Sequence, residues 1–175
     1  DVGCGSGILG IATLLLGADR AVGVDIDETA VRTAAENAEI NGVADRFTAI
    51  CGSFTDKVEG KYDIVLANIV ADAIMFLSKG IKDFMKDDAV YIMSGIIDTR
   101  AEEVKASVSQ YFDIIEEHLD NGWACFAARR AAVRQDPARA FHARLRTRHV
   151  VARGRDRRHH LEQGRGHVRK YDPCL

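Results

Sequence analysis

Proline is scarce in this sequence, with two residues in 175, and tryptophan occurs once. With 47% hydrophobic and 29% charged residues the composition is globular, and the length suits one ordinary domain rather than two. No apolar run is long enough to cross a bilayer. The longest near the start, Ile8 to Gly17, falls well short of the roughly 20 residues a spanning helix needs. No basic segment precedes it, so it is not a signal peptide. The four cysteines (Cys4, Cys51, Cys125 and Cys174) form no C-x-x-C pair. That argues against a zinc site and against a disulfide scaffold, and for free thiols in a reducing, cytoplasmic compartment. No methionine opens the chain, which starts at Asp1 inside a glycine-rich motif. It reads as a fragment whose N-terminal part is missing.

An excess of one charge is also missing, but only in the sum. Residues 1–128 hold 10 Lys/Arg and 22 Asp/Glu, a net −12. Residues 129–175 hold 14 Lys/Arg and 4 Asp/Glu, a net +10. A split of this kind points to two segments of different origin or partner.

What is present up to residue 128 is an alternation of strand and helix signals. Asp1-Val2-Gly3 reads as the end of a strand. Ile8 to Leu16 is a helical run closed by Gly17. Ala21 to Asp25 has strand length and apolar content. Asp27 caps a helix from Glu28 to about Ile40, ended by Asn41-Gly42. Phe47 to Cys51 and Tyr62 to Ala67 are strands, the second with a near-continuous buried look at Ile64, Val65 and Leu66. Val70 to Met85 is helical, broken at Gly80. Ala89 to Ser94 is a strand, and Thr99-x-x-Glu102 is a capping box opening a helix to about Gln110. Tyr111 to His118 and Trp123 to Ala128 are strands joined by Asp120-Asn121-Gly122, a hairpin signal. The pattern predicts a doubly wound α/β fold whose parallel sheet is covered by helices and ends in an antiparallel strand.

From Arg129 the periodicity stops. Residues 129–175 hold 13 of the 17 arginines and five of the six histidines, with no sustained apolar face. Such a segment cannot bury enough apolar surface to offset its ordering entropy. The expectation for it is disorder, or weak helix around Ala131 to Arg146.

The most informative stretch is Asp1-Val2-Gly3-Cys4-Gly5-Ser6-Gly7 between strand and helix. Gly3 and Gly5 let the backbone turn sharply and approach a ligand, and Gly7 lets the next helix pack closely. Asp25 ends the following strand, where a carboxylate can accept both hydroxyls of a ribose. Loop and acid together signal a nucleoside-containing cofactor. Cys4 reads as a packing residue and Asp27 as a helix cap.

The leading acid in D-x-G-x-G-x-G resembles the first motif of class I S-adenosylmethionine-dependent methyltransferases. Gly7-Ile8-Leu9-Gly10-Ile11-Ala12, Val24-Asp25-Ile26-Asp27, Ala67-Asn68-Ile69-Val70-Ala71-Asp72, Ser94-Gly95-Ile96-Ile97 and Asn121-Gly122-Trp123 narrow this. In combination and order they resemble the ribosomal protein L-eleven methyltransferase family (PrmA type) over about residues 1–130.

The resemblance implies a seven-stranded, mostly parallel Rossmann-like sheet with a C-terminal antiparallel hairpin and a truncated first strand. It implies S-adenosyl-L-methionine as cofactor, with Asp1, Gly3, Gly5, Gly7, Asp25, Ile26, Ser53, Phe54 and Asn68 as contacts. Asp1 would help hold the cofactor's ammonium, Ser53 and Phe54 would lie at the adenine, and Asn68 would orient the incoming amine. Ser53 and Phe54 read equally well as loop residues, and Asn68 as a helix cap. The implied reaction is methylation of lysine ε-amines and an N-terminal amine of a large-subunit ribosomal protein, with no metal, by a monomer. An acidic core at −12 would repel a nucleic-acid backbone and attract a lysine-rich protein. Another S-adenosylmethionine-dependent enzyme acting on RNA or a small molecule is the main alternative, and a non-catalytic RNA-binding protein acting through the basic tail is the second. Residues 131–175 match nothing in the family. They look like a GC-rich gene read out of frame, the competing reading being a basic arm for ribosomal RNA. Without most of its central first strand, the fragment is expected to fold poorly and to be inactive alone.

Overall fold

The computed structural model describes residues 1–53 and 57–131. The expected disorder or weak helix of the basic tail lies outside the described residues, as does Phe54. The elements run α1 (Ile8–Leu15), β1 (Ala21–Asp25), α2 (Glu28–Ile40), β2 (Phe47–Cys51), β3 (Tyr62–Asn68), α3 (Ala71–Leu77), β4 (Met85–Ile97), α4 (Ala101–Val108), β5 (Phe112–Asp120) and β6 (Trp123–Arg130). Short 3₁₀ turns at Ile81–Phe84 and Asp98–Arg100 precede β4 and α4.

Each helix buries one stripe. In α1 the buried residues are Gly10, Ile11 and Leu14, in α3 Ala71, Ile74 and Leu77, and in α4 Ala101, Val104 and Val108. These are the three- and four-residue steps of one helical face. α2 buries only Ala34 and Ala38, small residues that let it lie close, and Asp27 caps it by accepting from Thr29 N at 2.8 Å. The hairpin turn has Asn121 at φ 47° and Gly122 at φ 83°, the geometry a two-residue turn of the I′ type requires.

Strands β1 and β2 pair in parallel, and β3 pairs in parallel with β4. β6 lies antiparallel between β4 and β5, giving the order β3-β4-β6-β5. Val2 ties the two parts together, forming parallel bridges to Val24 on one side and Ala67 on the other. Its N–H donates to Leu66 O at 2.8 Å, and Gly3 N–H donates to Val24 O at 2.8 Å.

The expected seven-stranded, mostly parallel sheet is therefore corrected to a mixed sheet with six strands among the described residues. The centre of the sheet holds a single bridging residue, and β6 contributes two antiparallel pairings. Smaller corrections have local causes. Met85 opens β4 rather than closing a helix, and β4 runs on to Ile97 through an irregularity between Met93 and Ile96. The Thr99 capping box does not form. The 3₁₀ turn moves the N-cap of α4 to Arg100, without a side-chain cap. Arg100 instead bonds Glu103 and Asp72, each at 2.8 Å, tying α4 to α3. Its guanidinium holds both carboxyls below their ordinary range. Ile64 is 44% exposed rather than buried: among the described residues only Val2, at Ala67, pairs with the β1-facing side of β3.

Two clusters make the core. The larger joins β3–β6, α3 and α4 around Tyr91, Met93, Phe112 and Phe126, with the Tyr91 and Phe112 rings 5.5 Å apart and tilted. The smaller joins α1, α2 and β2 around Ile11, Leu14, Ala34 and Phe47.

Candidate active site

The glycine loop leaves the sheet at Val2 and enters α1 at Gly7, the N-cap. Gly7 has no side chain to offer the helix, and Asp1 supplies the missing acceptor: its Oδ2 accepts from Gly10 N at 3.0 Å. Gly3 has φ +68°, and a Cβ there would lie 2.6 Å from Ile69 Cγ2. A side chain at this position would be strained in its backbone and would collide with the segment following β3. Gly95 mirrors it from β4, with φ +77° and a would-be Cβ 3.0 Å from Ile69 O. Ile69 is thus held between the glycine loop and the β4 irregularity, and its N–H donates to Ser94 O at 3.2 Å.

Asp25 stands at the C-terminal end of β1. Its Oδ2 accepts from Gly5 N at 2.9 Å and its Oδ1 from Asp27 N at 3.0 Å. The carboxylate is fixed by two backbone amides and keeps further lone pairs for ligand hydroxyls. Nothing lies within 4 Å of a would-be Cβ at Gly5, so space is open above the loop beside this acid. A fixed carboxylate next to an open glycine turn suits the ribose of a nucleoside cofactor. Ile26, the next residue, is 83% exposed, an apolar surface beside that acid. Ser53 follows β2, whose last residue Cys51 pairs with Asp25.

Asn68 ends β3. Its Nδ2 donates to Ser94 Oγ at 2.7 Å, which leaves Oδ1 as an acceptor. A depression of about 390 Å³ opens there, lined by Asn68, Ser94, His118, Asp120, Trp123 and their neighbours. The structure thus brings together Gly3, Gly5, Gly7 and Asp25 in one cluster. It sets Asn68 beside that cluster through Ile69. Asp1 is placed beneath the loop, bracing α1.

Sequence reasoning attached no role to Ser94, His118 or Asp120. They come from strands distant in sequence from Asn68; the sequence marks Ser94 only within a family motif and Asp120 only in the hairpin turn. Burial pushes the Cys4 thiol up, with the Asp25 charge adding to it, the environment of a packing residue rather than a nucleophile. Among the described residues no group of three or more His, Cys, Asp or Glu could hold a metal ion. No helix there is long and apolar enough to cross a membrane.

Sheet, glycine loop and strand-end acid together define the class I S-adenosylmethionine-dependent methyltransferase fold. A crystal structure of ribosomal protein L11 methylase from Lactobacillus delbrueckii subsp. bulgaricus superposes with a TM-score of 0.72 at 31% identity, covering 75% of this chain and 68% of that one. An RNA methyltransferase from Salinibacter ruber in complex with S-adenosyl-L-homocysteine shares the fold at TM-score 0.61 and 18% identity, covering 78% of this chain and 82% of that one. The family model for ribosomal protein L11 methyltransferase (PrmA) matches residues 1–131, and the chain belongs to this family. Ribosomal protein L11 methyltransferases from Desulforamulus reducens and Campylobacter jejuni are 45% and 43% identical to it, each over 72% of this chain. The chain spans 41% and 43% of the length of those two curated relatives.

Proposed function

We propose that the chain carries the cofactor site and amine-orienting site of an enzyme that methylates amines of large-subunit ribosomal protein L11 in the cytoplasm, using S-adenosyl-L-methionine. The observation that carries this is the approach of Gly3 to Ile69, with 2.6 Å between a would-be Cβ and Ile69 Cγ2. It sets the cofactor loop directly against the segment that presents Asn68.

The cofactor, when bound, supplies an activated methyl group on a sulfonium. Asp25 receives the ribose hydroxyls, and Gly3 and Gly5 admit the ligand to the backbone. Asn68 Oδ1 accepts an amine N–H while Ser94 fixes the amide plane. Alignment is the main task, since the methyl is already activated. The amine attacks in its neutral form, which desolvation near a positive charge favours. In the adjoining depression Trp123 offers an aromatic face to a lysine stem and Asp120 offers a carboxylate to an incoming ammonium.

The test is methyl transfer by the full-length protein from labelled cofactor to a mixture of ribosomal proteins and ribosomal RNA, with Asn68→Ala as control. Label in one large-subunit protein, lost in the variant, is expected. Label in RNA would move the assignment to an RNA-directed enzyme of the same fold.

A further inference from the structure

Residues 94–100 run between the two walls of the depression at Asn68. Toward β3, Ser94 Oγ accepts from Asn68 Nδ2 at 2.7 Å, and Ser94 O accepts from Ile69 N at 3.2 Å. Gly95 leaves Ile69 its room, since a Cβ there would lie 3.0 Å from Ile69 O. Toward the hairpin, Ile97 pairs with Trp123, and Asp98 N donates to Gly122 O at 2.9 Å. One short stretch thus touches both the segment that presents Asn68 and the turn that presents Asp120 and Trp123. All three of those residues line the depression.

The stretch ends at Arg100. Its Nε and Nη2 donate to the two carboxylate oxygens of Glu103 at 2.8 and 2.9 Å, and Nη2 also donates to Asp72 Oδ1 at 2.8 Å. The paired bonds to Glu103 fix the guanidinium plane, so a group already held makes the bond to Asp72. Asp72 lies in the first turn of α3, four residues after Asn68, and that helix has no side-chain cap at Val70. Among the described residues Arg100 is the cation that holds this turn. As a contribution to stability an exposed ion pair counts for little. As a contribution to alignment it can count for far more, because displacing a reacting group by about 1 Å costs on the order of a hundredfold in rate.

We propose that Arg100 is a positioning residue of the transfer reaction. Through Asp72 it fixes the segment bearing Asn68. Through the backbone of its own turn it fixes the hairpin bearing Asp120 and Trp123. The two walls of the amine site thereby keep one spacing. Arg100 itself touches neither amine nor cofactor. The inference rests on the reading of this depression as the amine site.

The test uses the full-length protein and whichever acceptor the wild type labels. Arg100→Met, which keeps the apolar stem, and Asp72→Ala should each lower kcat roughly tenfold. Cofactor affinity by calorimetry and the urea midpoint should hardly move. The double variant should fall no further than either single one, and Arg100→Lys should recover part of the loss. Lys86→Gln breaks an exposed pair of the same 2.8 Å length, with Asp63, and should leave kcat unchanged. Amide hydrogen exchange, followed without cofactor or substrate, should quicken several-fold at Ile69 and Asp98 in Arg100→Met and stay constant at Phe126. Label found only in RNA would defeat the amine reading, while the exchange rates would still decide whether Arg100 holds the two walls. Unchanged kcat in Arg100→Met, or unchanged exchange at Ile69 and Asp98, would overturn the proposal. So would additive losses in the double variant or an equal loss in Lys86→Gln.

Discussion

The two halves of the sheet are built differently. Around β3–β6 a cluster of 18 buried residues includes Tyr91, Phe112 and Phe126, all without exposed surface. Around β1 and β2 the cluster has seven, three of them alanine or cysteine. The smaller half carries the glycine loop and Asp25, and the larger carries Asn68 and the depression beside it. Stability is not spread evenly, and the half with fewer buried contacts opens first. The glycine loop therefore sits on the half with the smaller core, tethered to the other by Val2 and by the contact of Gly3 with Ile69.

The strongest way to break this contrast is to remove the larger core. Phe126→Ala should cost about 3–5 kcal/mol and unfold both halves together in a urea titration. Loss of β4 protection with retained protection at β1 would reverse the ranking. Next, Asp25→Asn should weaken cofactor binding on the order of a hundredfold by calorimetry, through lost charge-assisted hydrogen bonds. The exchange protection of β3–β6 should hardly change.

Asn68→Ala should then lower turnover roughly tenfold or more while leaving cofactor affinity intact, since it removes only an orienting acceptor. The smallest effect belongs to Tyr91→Phe. The Tyr91 hydroxyl is buried near Ser78 without a hydrogen bond of good geometry, and Ser78 donates to Ile74 O instead. Removing it should leave the urea midpoint unchanged or slightly raised.

Much of the fold was legible because its signals are local. The alternation of β1, α1, α2 and β2 follows from apolar period, from Asp27 as a cap and from Gly17 and Gly42 as stops. The hairpin follows from Asn121-Gly122, whose backbone preference needs no neighbour. The capping box at Thr99 misled, because the bond of Arg100 to Asp72 on another helix outweighs a local cap. The buried look of Ile64 misled for a similar reason: an apolar run shows that a strand can be covered on both sides, not that it is.

The same division runs through the site. By itself the sequence pointed to the glycine loop and to the acid at Asp25, through residue types at fixed spacing along one strand–loop–helix unit, and to Asn68 through its resemblance to the family. Only the tertiary structure decided that Asp1 braces α1 and that Ile69 joins the loop to Asn68. It alone gathered Ser94, His118, Asp120 and Trp123 beside that asparagine. Those facts depend on which strands lie side by side, and adjacency in a sheet is settled by long-range hydrogen bonds and burial that no local stretch of sequence encodes.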